Sequence, residues 1–169
     1  MEVLPARVLA ATFERARAAR PGIHLDLAVF AAHVTRHVGA EPDVEAALAS
    51  LHAEDLYLAC ACARGDAVAL AMLEEELLGP AIAYARRAHG RTDGVVDEAG
   101  QRLRMRLLVR EPEREPQIAS YPGRSPLGAW LRLAAVREAR GLLRRPTRET
   151  ALAESHLDVH LSEVLRRPG

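Results

Sequence analysis

The stretch Ser125-Pro126-Leu127-Gly128-Ala129-Trp130-Leu131-Arg132-Leu133-Ala134-Ala135-Val136-Arg137-Glu138-Ala139-Arg140-Gly141-Leu142-Leu143-Arg144-Arg145-Pro146 decides the fold class. Its apolar residues recur at helical spacing, and its ends carry helix signals. Ser125 is the expected N-cap, Pro126 the expected first helical residue, and Pro146 the stop. At about 100° per residue, Leu127, Leu131, Ala134, Ala135, Ala139, Leu142 and Leu143 fall in one broad arc. Arg137, Arg140, Arg144 and Trp130 fall on the opposite side, with Arg132 at the edge of that sector. Such a helix docks one face on a core and displays a row of guanidinium groups on the other. Glu138 is its only acid, whereas a solvated face interleaves both signs. Arginine donates bidentately to phosphates and base edges, and a nearby indole can stack on an unpaired base.

The flanking sequence extends the helical reading. Helices are expected from about Val3 to Arg20, Leu25 to Val38, Pro42 to Leu51, Ala53 to Arg64 and Asp66 to Ala88. Pro21-Gly22, Gly39 and Gly65 close the first, second and fourth, and Asp66 caps the fifth. A further helix is expected from Val95 to Val109, with Val96, Leu103 and Leu107 inward and Gly100 a weak point in its interior. Pro112, Pro116, Pro122 and Gly123 make 110–126 the longest loop, a place where function is often carried. A last amphipathic segment runs from Arg148 to about Leu165. The chain is therefore expected to be all-α, a compact helical bundle. Its aromatic content of 4% is low for a β-sandwich, which draws heavily on aromatic and β-branched residues.

Charge is distributed unevenly. The 23 basic residues, all arginine, balance 23 acids to a formal net charge of zero. Residues 1–100 nevertheless hold nine Arg against fifteen acids, and residues 101–148 twelve Arg against four. A polyanion or acidic partner would meet a strongly basic module.

The motifs from His52 to Arg145, taken in order, resemble the second conserved region of sigma-70-type RNA polymerase sigma factors, in the compact extracytoplasmic-function style. Glu54-Asp55-Leu56-Tyr57 and Ala63-Arg64-Gly65-Asp66-Ala67 begin the resemblance, and Leu73-Glu74 and Val96-Asp97-Glu98-Ala99-Gly100-Gln101-Arg102-Leu103 continue it. It closes with Tyr121, the loop Gly123-Arg124-Ser125-Pro126, the run from Ala129 to Ala139, and Leu142 to Arg145. The resemblance implies a bacterial transcription initiation factor domain that binds core RNA polymerase and opens the promoter −10 element. Asp97, Glu98, Gln101 and Arg102 would dock on the clamp helices of the polymerase largest subunit. Tyr121, Arg124 and Ser125 fall in or beside the loop that captures a flipped base. Trp130, Arg132, Arg137, Arg140, Arg144 and Arg145 fall on the strand-separating, DNA-facing helix. An anti-sigma protein is a further implied partner. Two positions depart from the family pattern: Gly100 stands where an apolar residue is usual, and Arg102 where the final acid is usual.

The expected organisation is an N-terminal helical extension over 1–51, a sigma region 2-like domain over 52–146, and a linker with a C-terminal helix over 147–169. Nothing after Arg145 could supply the family's second, −35-reading domain. Glu149, Glu154, Asp158 and Glu163 suggest that the C-terminal helix could fold back over the basic face. The alternative function is a regulatory or protein-interaction module derived from such a domain.

Other signals carry little chemistry. Cys60 and Cys62 diverge by roughly 200° on a helix, so neither a disulfide nor a shared metal is expected. Paucity of cysteine, with no export signal and no membrane-spanning run, suits a cytoplasmic protein. His33/His37 and His156/His160 have i, i+4 metal spacing but no evident third ligand, and are read as surface or packing histidines. Glu74, Glu75 and Glu76 splay around their helix and are read as solvated. No phosphate loop, nucleophile elbow or zincin motif occurs, so neither enzymatic activity nor a cofactor is expected.

Overall fold

Tyr57 is the point from which the packing is best followed. Its hydroxyl donates to the Ile23 carbonyl at 3.1 Å and accepts from the Leu25 amide at 3.2 Å. Its ring meets Phe13 and Phe30 with centroids 5.8 Å apart in each case. Three aromatic residues from three segments thus converge, each adding a large buried surface with tilted-ring contacts.

The computed structural model describes residues 6–90 and 93–144, and these form α1 (Ala6–Ala19), α2 (Leu27–Val38), α3 (Val44–Ser50), α4 (Ala53–Ala63) and α5 (Ala67–Leu73). There follow a π-helical turn (Glu74–Leu78), α6 (Gly79–His89), α7 (Asp93–Leu108), a 3₁₀ turn (Gln117–Ser120) and α8 (Leu127–Leu143). The described residues are all-helical apart from loops and an isolated bridge between Glu111 and Arg114. Arg145, the C-terminal segment with its four acids, and His156/His160 lie outside the described residues.

α4 is the central element. Leu56 to Cys62 are buried without interruption, the pattern of a helix covered on all sides. That cover comes from α1, α2, α5 and the 3₁₀ turn. Residues 6–51, read as an extension, therefore share one continuous core with the rest. α6, α7 and α8 pack together as the second part of that core.

The long helix expected over 66–88 is present with a widened interior. Asp66 caps it by accepting from the Ala69 amide at 2.8 Å. The Gly79 amide bonds the Glu74 carbonyl five residues back. This π turn directly precedes Pro80, which has no N–H to donate and would crowd the carbonyl four residues behind it. The widening also aims Glu74 at Arg104 of α7, which holds it through three hydrogen bonds of 2.5–3.2 Å. Glu76 pairs with Arg20 at 3.1 Å. The solvated reading is corrected for Glu74, which is part-buried in its contact with Arg104, while Glu76 stays exposed even as it pairs with Arg20.

Gly100 has a packing reason. A Cβ there would lie 3.3 Å from two carbons of Ile82 on α6. The glycine weakens helix propensity but lets α6 and α7 approach closely.

Candidate nucleic-acid interface

α8 buries Leu127, Leu131, Ala135 and Ala139, residues spaced by four that form its contact line with the core. Its opposite side exposes Arg132, Leu133, Arg137, Arg140 and Arg144. Glu138 is turned away from that row and pairs with Arg106 of α7 at 2.8 Å. Among the described residues, Arg137, Arg140 and Arg144 make no ion pair. The guanidinium of Arg132 lies 5.8 Å from the Tyr84 ring centroid, so part of its charge is engaged with an aromatic face. Leu143, expected in the apolar arc, is 46% exposed, because α8 has passed the core by that point. Leu133 is 49% exposed and sits amid the arginines. Trp130 is half-buried. Its ring meets Tyr121 edge-on at 5.6 Å, so it packs against the core while keeping some exposure.

The loop before α8 is tightly held. The Tyr121 hydroxyl donates to the Ser125 carbonyl at 2.5 Å, and burial pushes its pKa upward. The reading of Tyr121 as a DNA contact is corrected: the side chain is fully buried, and its polar end is used inside the loop. Its role is to support Trp130 and set the loop's shape. Gly123 has φ +73°, and a Cβ there would come within 2.5 Å of Leu56. No other residue fits that position without displacing the core. The Gly123 carbonyl also accepts from the His52 amide at 2.8 Å. Arg124 and Ser125 are exposed at the tip, and Arg124 pairs with Glu41 from the loop between α2 and α3.

Ser125 does not cap α8, and Pro126 rather than Ser125 takes the N-cap position. The cap comes from Asp55 of α4, whose Oδ2 accepts from the Leu127 amide at 2.8 Å. The other oxygen of Asp55 pairs with Arg20, just past the end of α1, at 3.2 Å. One carboxylate therefore satisfies a helix-end donor and joins α1, α4 and α8. Sequence reasoning placed Asp55 in a motif but missed this role, since its partners are 35 and 72 residues away. Glu41 was missed for the same reason.

On α7, Asp97, Glu98, Gln101 and Arg102 lie together on an exposed face. Asp97 pairs with Arg86 of α6, and Glu98 with Arg102 at 2.6 Å. Met105, 62% exposed, extends the face with an apolar, adaptable side chain. This surface and the α8 row lie on helices that pack against each other.

The remaining reactive groups are muted. Burial pushes the thiols of Cys60 and Cys62 up to about 11 and about 12, which leaves them protonated and unreactive at neutral pH. His33 is buried, and its ring meets His37 at 5.2 Å. Among the described residues no cluster of three metal-ligating side chains occurs, and no helix is long and apolar enough to cross a membrane. The arrangement is equipped to hold phosphates, bases or a protein surface. Comparison of the chain with protein-family models, curated proteins and solved structures gives no match.

Proposed function

We propose that this chain is a transcription initiation factor domain of the sigma-70 type, which binds core RNA polymerase and recognises and melts the promoter −10 element. The α7 face of Asp97, Glu98, Gln101 and Arg102 holds the polymerase. Arg124, Ser125, Trp130, Arg132, Arg137, Arg140 and Arg144 engage the opened strand. Supporting the reading, above all, is the row Arg137, Arg140 and Arg144, which no carboxylate neutralises among the described residues and which continues from a half-buried indole. A cationic row tracks a phosphate backbone, and an exposed aromatic face receives an unstacked base by stacking. The rigid loop beside it keeps Arg124 and Ser125 at fixed positions, which lowers the entropic cost of binding a flexible strand.

Promoter-dependent transcription with core polymerase tests this reading, comparing the chain with its Arg137→Ala/Arg140→Ala/Arg144→Ala variant. The expected result is activity from the former and its loss from the latter. Inactivity of both, with no binding to a single-stranded −10 oligonucleotide, would sink it. Retention on immobilised core polymerase, weakened by Gln101→Ala, tests the docking face separately.

Exposure of Leu133 and Leu143 among the arginines favours a second reading, a regulatory or protein-interaction module. Binding through such a mixed face would weaken modestly with salt, whereas nucleic-acid binding falls steeply.

A further inference from the structure

A second cationic feature lies away from α8, where α2, the C-terminal end of α4 and the segment after α7 meet. A cleft of about 300 Å³ is lined there by Arg36, Arg64 and Arg110, with Glu115 the only acid in its wall. A smaller hollow of about 200 Å³ continues past Arg64 and Arg110 toward Pro116. The void exists because the facing helices carry Ala28, Ala32 and Ala63, whose side chains are too short to close it.

The charge balance in this cleft is unequal. Arg36 pairs with Glu115 at 2.5 Å, and that hydrogen bond holds the Glu115 carboxyl below its usual range. Arg64 and Arg110 have no ion-pair partner among the described residues. Three guanidinium groups against one carboxylate leave an excess of two positive charges around one opening. His33 completes the wall, almost wholly buried and with its Nε2 unpartnered. Burial, with His37 and Arg36 beside it, holds the imidazole down at about 4, so it is neutral near pH 7. The walls are otherwise formed by the alanines, Val29 and the protonated thiol of Cys60.

We propose that this cleft binds a small phosphomonoester, its dianionic head held by Arg36, Arg64 and Arg110 and its compact apolar body seated between the alanine faces of α2 and α4. The two excess charges match a phosphomonoester dianion. A carboxylate would leave one of them unmet. Guanidinium forks suit phosphate oxygens geometrically. The volume lies at the lower end of small-molecule sites and fits an ester of one ring rather than a polymer. The site shares no residue with the α8 row or the α7 face, and stands whether or not the chain acts in transcription.

Calorimetric titration of the whole chain with phenyl phosphate, inorganic phosphate and phenyl sulfate tests the proposal, with the His33 ring resonances followed by NMR. Phenyl phosphate is expected to bind at one site and to shift the His33 signals. Inorganic phosphate, lacking the ring, and phenyl sulfate, with a single charge, should each bind at least about tenfold more weakly. Arg64→Gln/Arg110→Gln should weaken phenyl phosphate by about tenfold or more. Ala32→Leu, which fills the hollow and leaves every arginine in place, should do the same. Arg87→Gln, on the exposed side of α6, should leave binding unchanged. Ala32, Arg64, Arg87 and Arg110 are all solvent-exposed, and a thermal melt confirms that each variant is folded. Absence of saturable binding, equal affinity for inorganic phosphate or phenyl sulfate, a silent His33, or indifference to Arg64→Gln/Arg110→Gln or to Ala32→Leu would each overturn it.

Discussion

On α7, Arg102, Arg104 and Arg106 each meet an acid: Glu98 one turn back, Glu74 in the π turn, and Glu138 on α8. On α8, Arg137, Arg140 and Arg144 meet none among the described residues, although the two helices pack directly on each other. The difference is one of supply. α8 has a single acid, and it is spent on α7, while the π turn delivers Glu74 to α7 from another part of the chain. Arginines of one type, close in sequence, thus do two jobs. Arg104 and Arg106 tie α7 to other elements, Arg102 pairs within its own helix, and the α8 row is left without a carboxylate among the described residues.

The strongest way to break this comparison is to remove the free row. Arg137→Ala/Arg140→Ala/Arg144→Ala should lower affinity for a single-stranded −10 oligonucleotide roughly 100-fold at low salt and flatten its salt dependence. Its thermal stability should change little, since exposed, unpaired charges hold nothing in place. Fluorescence anisotropy and a melting curve check the two halves of that statement. A large loss of stability would show that the row is structural after all.

Asp55→Ala attacks the support of α8 instead. It removes the cap on Leu127 and leaves the mostly buried Arg20 with one carboxylate fewer, at a cost of about 2–3 kcal/mol measured by urea unfolding. Oligonucleotide binding should weaken with it, because the first turn of α8 carries Trp130.

Acid should act on the other side of the molecule. His33 has its pKa lowered to about 4 in the fold against 6.5 unfolded, so the unfolded chain binds more protons between those values. Stability should therefore be full above about pH 6.5 and fall by about 2 kcal/mol on acidification to pH 5. His37, also lowered by burial, acts in the same direction. Replacing His33 by Gln should remove most of the slope.

Smaller effects distinguish the paired arginines from one another. Arg104→Gln, which loses a bidentate contact between α7 and the π turn, should destabilise by about 1 kcal/mol. Arg102→Ala breaks only an exposed pair within α7 and should cost under about 0.5 kcal/mol. Neither should alter oligonucleotide binding as the α8 variant does, and a matching loss from Arg104→Gln would erase the contrast between the helices.

The helices themselves were legible because their signals are local. Apolar spacing in α8, the Asp66 cap, and the stops at Gly39 and Gly65 depend on residues within a turn or two of each other. The arginine row was legible for the same reason, whereas Asp97, Glu98, Gln101 and Arg102 were singled out only through the family resemblance. Tyr121 was misplaced because an aromatic beside a polar loop carries no sign of which way its ring turns. Ser125 was misassigned because Asp55, brought up from α4, competes for the same helix end. The partners of Glu74 and Glu76 were not legible because they lie 30 and 56 residues away.

By itself, then, the sequence determined an all-helical chain, the positions of its breaks, and the segregation of its charge, since each follows from propensity and period along a single segment. Tertiary structure alone decided which charges are spent and which are displayed. An ion pair or a cap needs two groups within about 3–4 Å, and only packing brings residues from distant segments that close. It likewise decided that Tyr121 supports the loop from within, that residues 6–51 complete the covering of α4, and that Arg36, Arg64 and Arg110 face one cleft.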